Sequence, residues 1–138
     1  MCCYADEKSM IEFKAKNPQS FKAYKVVWPN GQTACNNTQL KPGLNANING
    51  VGFHLFASYN DAINGLAYIF TFETKKVGII LEVECETKHL SGIESIVETK
   101  QYYPTQKVWR MHCGKIARQL VVSQMNITPE VWNNNITD

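Results

Sequence analysis

The spacing of hydrophobic residues changes from every second position to a helical pattern near Ser58. Residues 52–57 alternate, with Phe53 and Leu55 on one face and His54 on the other, which is typical of a β-strand. The strand pattern ends at Ser58. His54 is therefore predicted to lie on the outer face of a strand, shortly before a change of direction.

A helix is predicted directly after this strand. Ser58 can accept a hydrogen bond from the first N–H groups of a helix, and Asp61 follows in the first turn, where the helix dipole favours a carboxylate. Apolar residues then recur at intervals of three and four, which gives one buried face: Ala62, Ile63, Leu66, Ala67, Ile69 and Phe70. The strand and the helix together predict a tight corner.

Other segments carry weaker versions of the same two patterns. Strands are predicted at 21–28, 77–85, 93–97 and 107–113, with a break at Ser91-Gly92 and a turn at Pro29-Asn30-Gly31. Helices are predicted at 6–16, where Met10, Ile11 and Phe13 cluster, at 114–120, and after Thr128-Pro129, which resembles a helix start. Residues 36–49 are rich in Asn and Gly and predict a long loop, a kind of segment that is often functional.

These elements predict an α+β fold. Because strands dominate the middle of the chain, we expect a single domain over residues 1–138 with a mostly antiparallel, twisted sheet, a central helix and short terminal helices. The composition agrees, since 44% hydrophobic and 19% charged residues describe a folded chain.

Charge and cysteine content indicate which binding partners and which cellular compartment to expect. A formal charge of +2 gives no strong attraction to nucleic acid as a whole, although a local basic patch stays possible. No segment has the length of a membrane span or the pattern of a signal peptide, and five irregularly spaced cysteines fit reduced thiols. We therefore expect a cytoplasmic protein without membrane contact. Frequent Asn, Lys and Ile suggest an AT-rich viral or bacterial genome.

Two residues are candidates for catalysis. Removal of Met1 would leave Cys2 with a thiol beside a free amine, an arrangement that can attack carbonyl groups; a frayed terminus is the simpler interpretation. His54 can act as an acid or base near neutral pH, although a single histidine is more often structural. The histidines and cysteines have no regular zinc spacing, so no metal site is predicted.

The order of the motifs resembles that of small phage and bacterial domains of uncharacterised function. These motifs are Ala23-Tyr24-Lys25-Val26-Val27, Gly52-Phe53-His54-Leu55-Phe56, Asn60-Asp61-Ala62 and Ile-Ile-Leu-Glu-Val-Glu at 79–84. Their order is also similar to that of ADP-ribosyltransferase-like domains, in which a comparable strand and the following helix border an NAD pocket.

That resemblance assigns roles to particular residues. It implies that Tyr24 or Lys25 on the first strand, and His54 and Ser58 at the corner, border a nucleotide, and that Gln101 lies near the position of the catalytic acid. Tyr59, the next residue after Ser58, is a further aromatic that can stack on a base.

Two functions follow as expectations. The preferred one is a small viral or bacterial accessory protein that binds a protein or nucleotide-like ligand through residues 36–49, His54 and the corner at Ser58. The alternative is an enzyme, either with an ADP-ribosyltransferase-like pocket or with Cys2 as nucleophile. The sequence leaves the cofactor unknown.

Overall fold

The computed structural model describes residues 7–33, 38–47, 52–65, 78–103, 105 and 108–137; for residues 64–65, 94–103 and 108–118 it describes the backbone alone. The elements, in chain order, are α1 (Glu7–Lys16), β1 (Ser20–Val27), β2 (Gly43–Ala46), β3 (Phe53–Phe56), α2 (Tyr59–Gly65), β4 (Ile79–Glu86), a short 3-10 helix (Thr87–His89), β5 (Leu90–Tyr103), β6 (Val108–Val122), β7 (Gln124–Ile127) and α3 (Pro129–Asn135).

The described strands form one seven-stranded sheet in the order β2-β7-β4-β1-β3-β6-β5, and all of its pairs are antiparallel. This confirms the α+β prediction, including the central helix and the short terminal helices. No helix in the described part of the chain is long and apolar enough to cross a bilayer.

Strands β1 and β4 form the centre of the sheet and pair along their whole length, from Ser20 opposite Glu86 to Val27 opposite Ile79. Both alternate as predicted. On β4, for example, Leu81 and Val83 are buried on one face, while Glu82 and Glu84 lie on the other. The sheet therefore has an inner face that is fully apolar here and an outer face that carries charge.

The sheet is strongly curled. Strands β6 and β7 are separated in the sheet by three others, so in a flat sheet they would lie about 19 Å apart, at about 4.8 Å per strand. Only Ser123 joins them, and the two Cα steps from Val122 to Gln124 span at most about 7.6 Å. The ends of the sheet must therefore approach each other.

A second connection closes the curl in the same place. The 3-10 helix Thr87–His89 leads from β4 to β5, and the Ser123 N–H donates to the His89 carbonyl at 3.0 Å. On one side of this contact Glu84 is opposite Asn126, and on the other Leu90 is opposite Val122. The segment from β4 through the 3-10 helix to β5 therefore runs antiparallel to the segment from β6 through Ser123 to β7. Together the two segments form one long ribbon that bends at Ser123.

The inner face of the curl holds the main hydrophobic core. Its largest fully buried side chains come from six strands: Val27, Leu55, Leu81, Val83, Ile93, Leu120, Val122, Met125 and Ile127. Helix α1 packs Phe13 edge-on against Phe21, with ring centroids 5.0 Å apart. Helix α3 adds Val131 and Trp132 to this core, and the helix start predicted at Thr128-Pro129 is confirmed by the Val131 N–H bonded to Thr128 Oγ1 at 3.3 Å.

Helix α2 covers part of the outer face. Its Ala62 is buried with Val26 and Phe56, and Tyr24, Trp28 and Ile80 pack around them. The continuation of the helix predicted over 66–70 lies outside the described residues.

The helix predicted at 114–120 is wrong, because these residues belong to β6. Their register with β5 places Ile116 opposite Ile96 and Leu120 opposite Ile93. A spacing of three to four apolar residues is ambiguous over so short a segment, and the cross-strand partner decides it. The break predicted at Ser91-Gly92 is instead an irregularity of register within β5, between Leu90 and Gly92.

Two smaller predictions also fail. Residues 43–46 of the predicted loop form the edge strand β2, paired with β7 from Gly43 opposite Ile127 to Ala46 opposite Gln124; residues 36–37 and 48–49 lie outside the described chain. Ile11 does not join Met10 and Phe13 but is 65% exposed on α1.

Candidate functional site

The corner at Ser58 is formed as the sequence predicts. Strand β3 ends at Phe56, and Ser58 Oγ accepts the backbone N–H of Asp61 at 3.1 Å. The Ser58 carbonyl accepts the Ala62 N–H, also at 3.1 Å, and so begins helix α2. Because both groups of Ser58 bind the helix start, its hydroxyl fixes the corner.

Two tyrosines meet at this corner. Tyr24 lies on β1 opposite Phe56 of β3, and its ring contacts the ring of Tyr59 edge-on, with centroids 5.9 Å apart. Tyr59 is 54% exposed, and Ile63, one turn along α2, is 44% exposed. We call the surface formed by Tyr24, Tyr59 and Ile63 the aromatic corner.

Lys25 has a structural role next to the corner. Strands β1 and β3 share a single residue pair, Tyr24 opposite Phe56. Beyond that pair the Lys25 Nζ donates to the His54 carbonyl at 2.9 Å, so the ammonium group ties the two strands together. A ligand that bound this ammonium group would have to break its hydrogen bond to the His54 carbonyl.

His54 lies on the outer face, as predicted, but it is half-buried instead of fully open to water. Its neighbours Phe53 and Leu55 point into the inner core, whereas Phe56, on the same face as His54, packs under α2. In the sheet His54 is opposite Val121 of β6. His54 therefore lies on the outer face, two positions before Phe56 of the outer cluster.

The structure gathers most of the predicted residues but does not bring the catalytic ones together. Gln101 is paired with Arg110, whereas His54 is paired with Val121, eleven positions further along β6. A straight strand of that length covers about 36 Å. Cys2 lies outside the described residues. Tyr24, Lys25, His54, Ser58 and Tyr59, by contrast, all lie at or beside the corner.

A polar groove that the sequence did not single out lies elsewhere on the outer face. It has a volume of about 750 Å³ and is lined by residues of β1, β2, β4 and β7 together with His89. Its floor contains a row of cross-strand partners, Leu44, Asn126, Glu84 and Lys22. The outward alternation of Glu82 and Glu84 was its only signal in the sequence. We call it the sheet groove.

Three of the residues that line the sheet groove, Lys22, Glu86 and His89, make charged contacts. Lys22 Nζ lies 3.2 Å from Glu82 Oε1, and the hydrogen bond to Glu82 raises the pKa of the Lys22 ammonium. Glu86 Oε2 lies 3.2 Å from Lys88 Nζ and 3.5 Å from His89 Nε2. These exposed pairs are open to water and contribute little to stability.

Glu86, His89 and Ser123 form a chain of contacts at the bend of the ribbon. Besides its contact with Glu86, His89 has Nδ1 at 3.4 Å from Ser123 Oγ. The same residue types serve nucleophilic catalysis in hydrolases, where a shielded carboxylate orients the imidazole. Here the carboxylate is exposed and shared with Lys88, and both imidazole distances are long. The arrangement therefore supports the bend and not a catalytic mechanism.

Cys85 is a buried thiol on the inner face. Burial raises its pKa to about 12, so it stays protonated and unreactive at neutral pH. Within the described ranges no group of three or more His, Cys, Asp or Glu side chains is placed to hold a metal ion.

The fold and these surfaces define an α+β protein with a curled antiparallel sheet and a capped, aromatic corner on its outer face. Comparison with known proteins finds no matching family model, no similar curated protein and no similar solved structure.

Proposed function

We propose that this protein is a binding module and that the aromatic corner is its partner-binding surface. The observation that carries the proposal is the exposure of Tyr59 on a helix whose start is fixed by the Ser58 cap. Tyrosines held in place are effective anchors at protein interfaces, because they contribute a large contact area at a low cost in conformational entropy.

The partner that suits this surface is a peptide segment with apolar side chains. Tyr59 and Ile63 present apolar side-chain surface, and the hydroxyl groups of Tyr24 and Tyr59 add polar groups to the same corner. Ala62 is buried and holds the helix against the sheet. His54 lies on the same face, two residues before Phe56, and can extend the contact. Interfaces of this kind combine an aromatic centre with a polar rim.

A displayed library of random peptides, selected on the folded protein, tests this proposal. We expect apolar peptides to be enriched, and Tyr59→Ser to weaken their binding roughly thirtyfold or more, as for an interface anchor. Ile11→Ser is the control, because Ile11 is another exposed large apolar side chain (65% exposed) but lies on α1. Peptides that bind Tyr59→Ser as well as the wild type would place the binding surface elsewhere.

The nucleotide alternative concerns the same corner, because the ADP-ribosyltransferase resemblance assigns Tyr24, Lys25, His54, Ser58 and Tyr59 to its ligand. Calorimetry with millimolar NAD separates the two. Binding heat that is present in the wild type and absent in Tyr59→Ser would favour a nucleotide pocket over a peptide-binding surface. The absence of heat, with apolar peptides still bound, would support the binding module.

A further inference from the structure

The charge of this protein is segregated along the chain. Residues 99–118 contain five basic residues and no acidic one: Lys100, Lys107, Arg110, Lys115 and Arg118. The rest of the sequence has nine basic and twelve acidic residues, a formal charge of −3. The near-neutral total therefore conceals a basic segment on an acidic body, and such segments are the usual sites of contact with polyanions.

The strand residues described in this basic segment, 99–103 and 108–118, belong to the paired strands β5 and β6, which we call the β5–β6 hairpin. Strand β3 pairs with β6 only from Gln119 to Val122. Over 108–118, β5 is the one strand that pairs with β6 in the described part of the sheet. Three register shifts interrupt the β5–β6 pairing, and the two nearest the basic segment lie between Glu94 and Ile96 and between Val97 and Thr99. Irregularities of this kind increase the twist of a ribbon.

The register brings aromatic and basic residues to the same face near the hairpin end. Tyr102 is opposite Trp109, and Lys100, two positions before Tyr102, shares their face. Gln101 is opposite Arg110 on the other face. An aromatic pair next to a cation is the combination with which proteins hold unpaired bases and their phosphates.

We propose that the β5–β6 hairpin binds single-stranded nucleic acid. Its basic residues contact phosphates, and the face of Tyr102 and Trp109 accepts a base. A single strand fits better than a duplex, because bases stacked within a duplex do not offer their faces to aromatic side chains. The acidic body, with Glu82, Glu84 and Glu86 on its outer face, repels the strand and confines it to the hairpin.

Anisotropy of a labelled oligothymidylate, titrated with the full chain at several salt concentrations, tests the phosphate contacts. If all five basic residues contact phosphates, the plot of log affinity against log salt has a slope of about −3.5. The double variant Lys100→Gln/Arg110→Gln should make the slope shallower by about 1.4. Lys22→Gln/Lys88→Gln changes the total charge equally but on the body, and should leave the slope unchanged.

A second pair of variants tests the base contact. Tyr102→Leu should weaken binding roughly tenfold, because one stacked base is lost. Tyr103→Leu makes the same chemical change on the other face and should leave affinity nearly unchanged. Circular dichroism checks that each variant keeps its strand content.

Three results would overturn the proposal. One is an equal loss of affinity in the hairpin and body double variants. Another is tighter binding of a duplex of the same length. The third is salt-sensitive self-association without oligonucleotide binding, which would mean that the hairpin docks on the acidic face of a second copy.

Discussion

The inner and outer faces of β4 differ in what they contribute to the molecule. Leu81, Val83 and Cys85 are almost completely buried on the inner face, whereas Glu82 and Glu84 on the outer face carry charge towards water. Burial of large apolar side chains supplies most of the stability of a domain, and exposed charges supply little. The buried inner-face residues of β4 therefore stabilise the fold, whereas its outer-face glutamates can be replaced without unfolding the protein.

The largest effect is expected from Leu81→Ala. Removal of this fully buried side chain leaves a cavity within the inner core and should lower the free energy of unfolding by about 3 kcal/mol. Urea denaturation measures the change. The control Glu84→Ala, three positions along the same strand on the outer face, should stay within about 0.5 kcal/mol of the wild type. Similar losses in both variants would remove the distinction between the faces.

A smaller effect is expected where α3 closes the inner face. Gly31 has φ +85°, and an added Cβ would lie 2.5 Å from Cη2 of Trp132. Gly43 has φ +92° but no atom within 4 Å of that position. Gly43→Ala should therefore cost only the backbone term, about 1 kcal/mol, whereas Gly31→Ala should cost about 1 kcal/mol more because of overpacking. Thermal unfolding of the two variants would show equal losses if Trp132 moves aside freely.

A third effect concerns the pH dependence of stability that Cys85 imposes. Burial raises the pKa of this thiol from an ordinary value of 9.0 to about 12, so between pH 9 and pH 12 the thiol ionises mainly in the unfolded state. Stability should fall with rising pH from about 9 to 12, by about 1.4 kcal/mol at pH 10.

The variant Cys85→Ala isolates this contribution. Urea denaturation at pH 8 and pH 10 should show a smaller loss of stability in the variant than in the wild type, because both share every other titrating group. Equal losses would indicate that water reaches the thiol and that the inner face is not sealed at Cys85.

The sequence alone was sufficient to predict those elements whose hydrogen bonds are made between neighbouring residues of the chain. The Ser58 corner and the Thr128 cap depend on side chains that bond their own neighbours, so their patterns identified them. The burial of β4 followed from its alternation. Residues 114–120 and the edge strand β2 depend instead on partners far along the chain, β5 and β7, and no local pattern specifies these.

The features of the candidate site also differ in whether the sequence could identify them. Tyr24 and Tyr59 were singled out from the sequence, and their contact follows from the pairing of β1 with β3 beside the corner. The sheet groove was missed because its row of partners comes from four strands whose order cannot be read from the sequence. The structural role of Lys25 likewise became visible only with its hydrogen bond to the His54 carbonyl.

The bend of the ribbon at Ser123 has a consequence for how the protein folds. Closing the curl requires pairs that are distant in sequence, such as Ser20 with Glu86 and Gly43 with Ile127, whereas the β5–β6 hairpin is local. The entropic cost of closing long loops slows the pairing of distant segments. We therefore expect the β5–β6 hairpin to form early and strands β1, β2 and β3 to join the sheet later. Assembly of the sheet is therefore expected to take milliseconds to seconds, as in other strand-rich domains of high contact order.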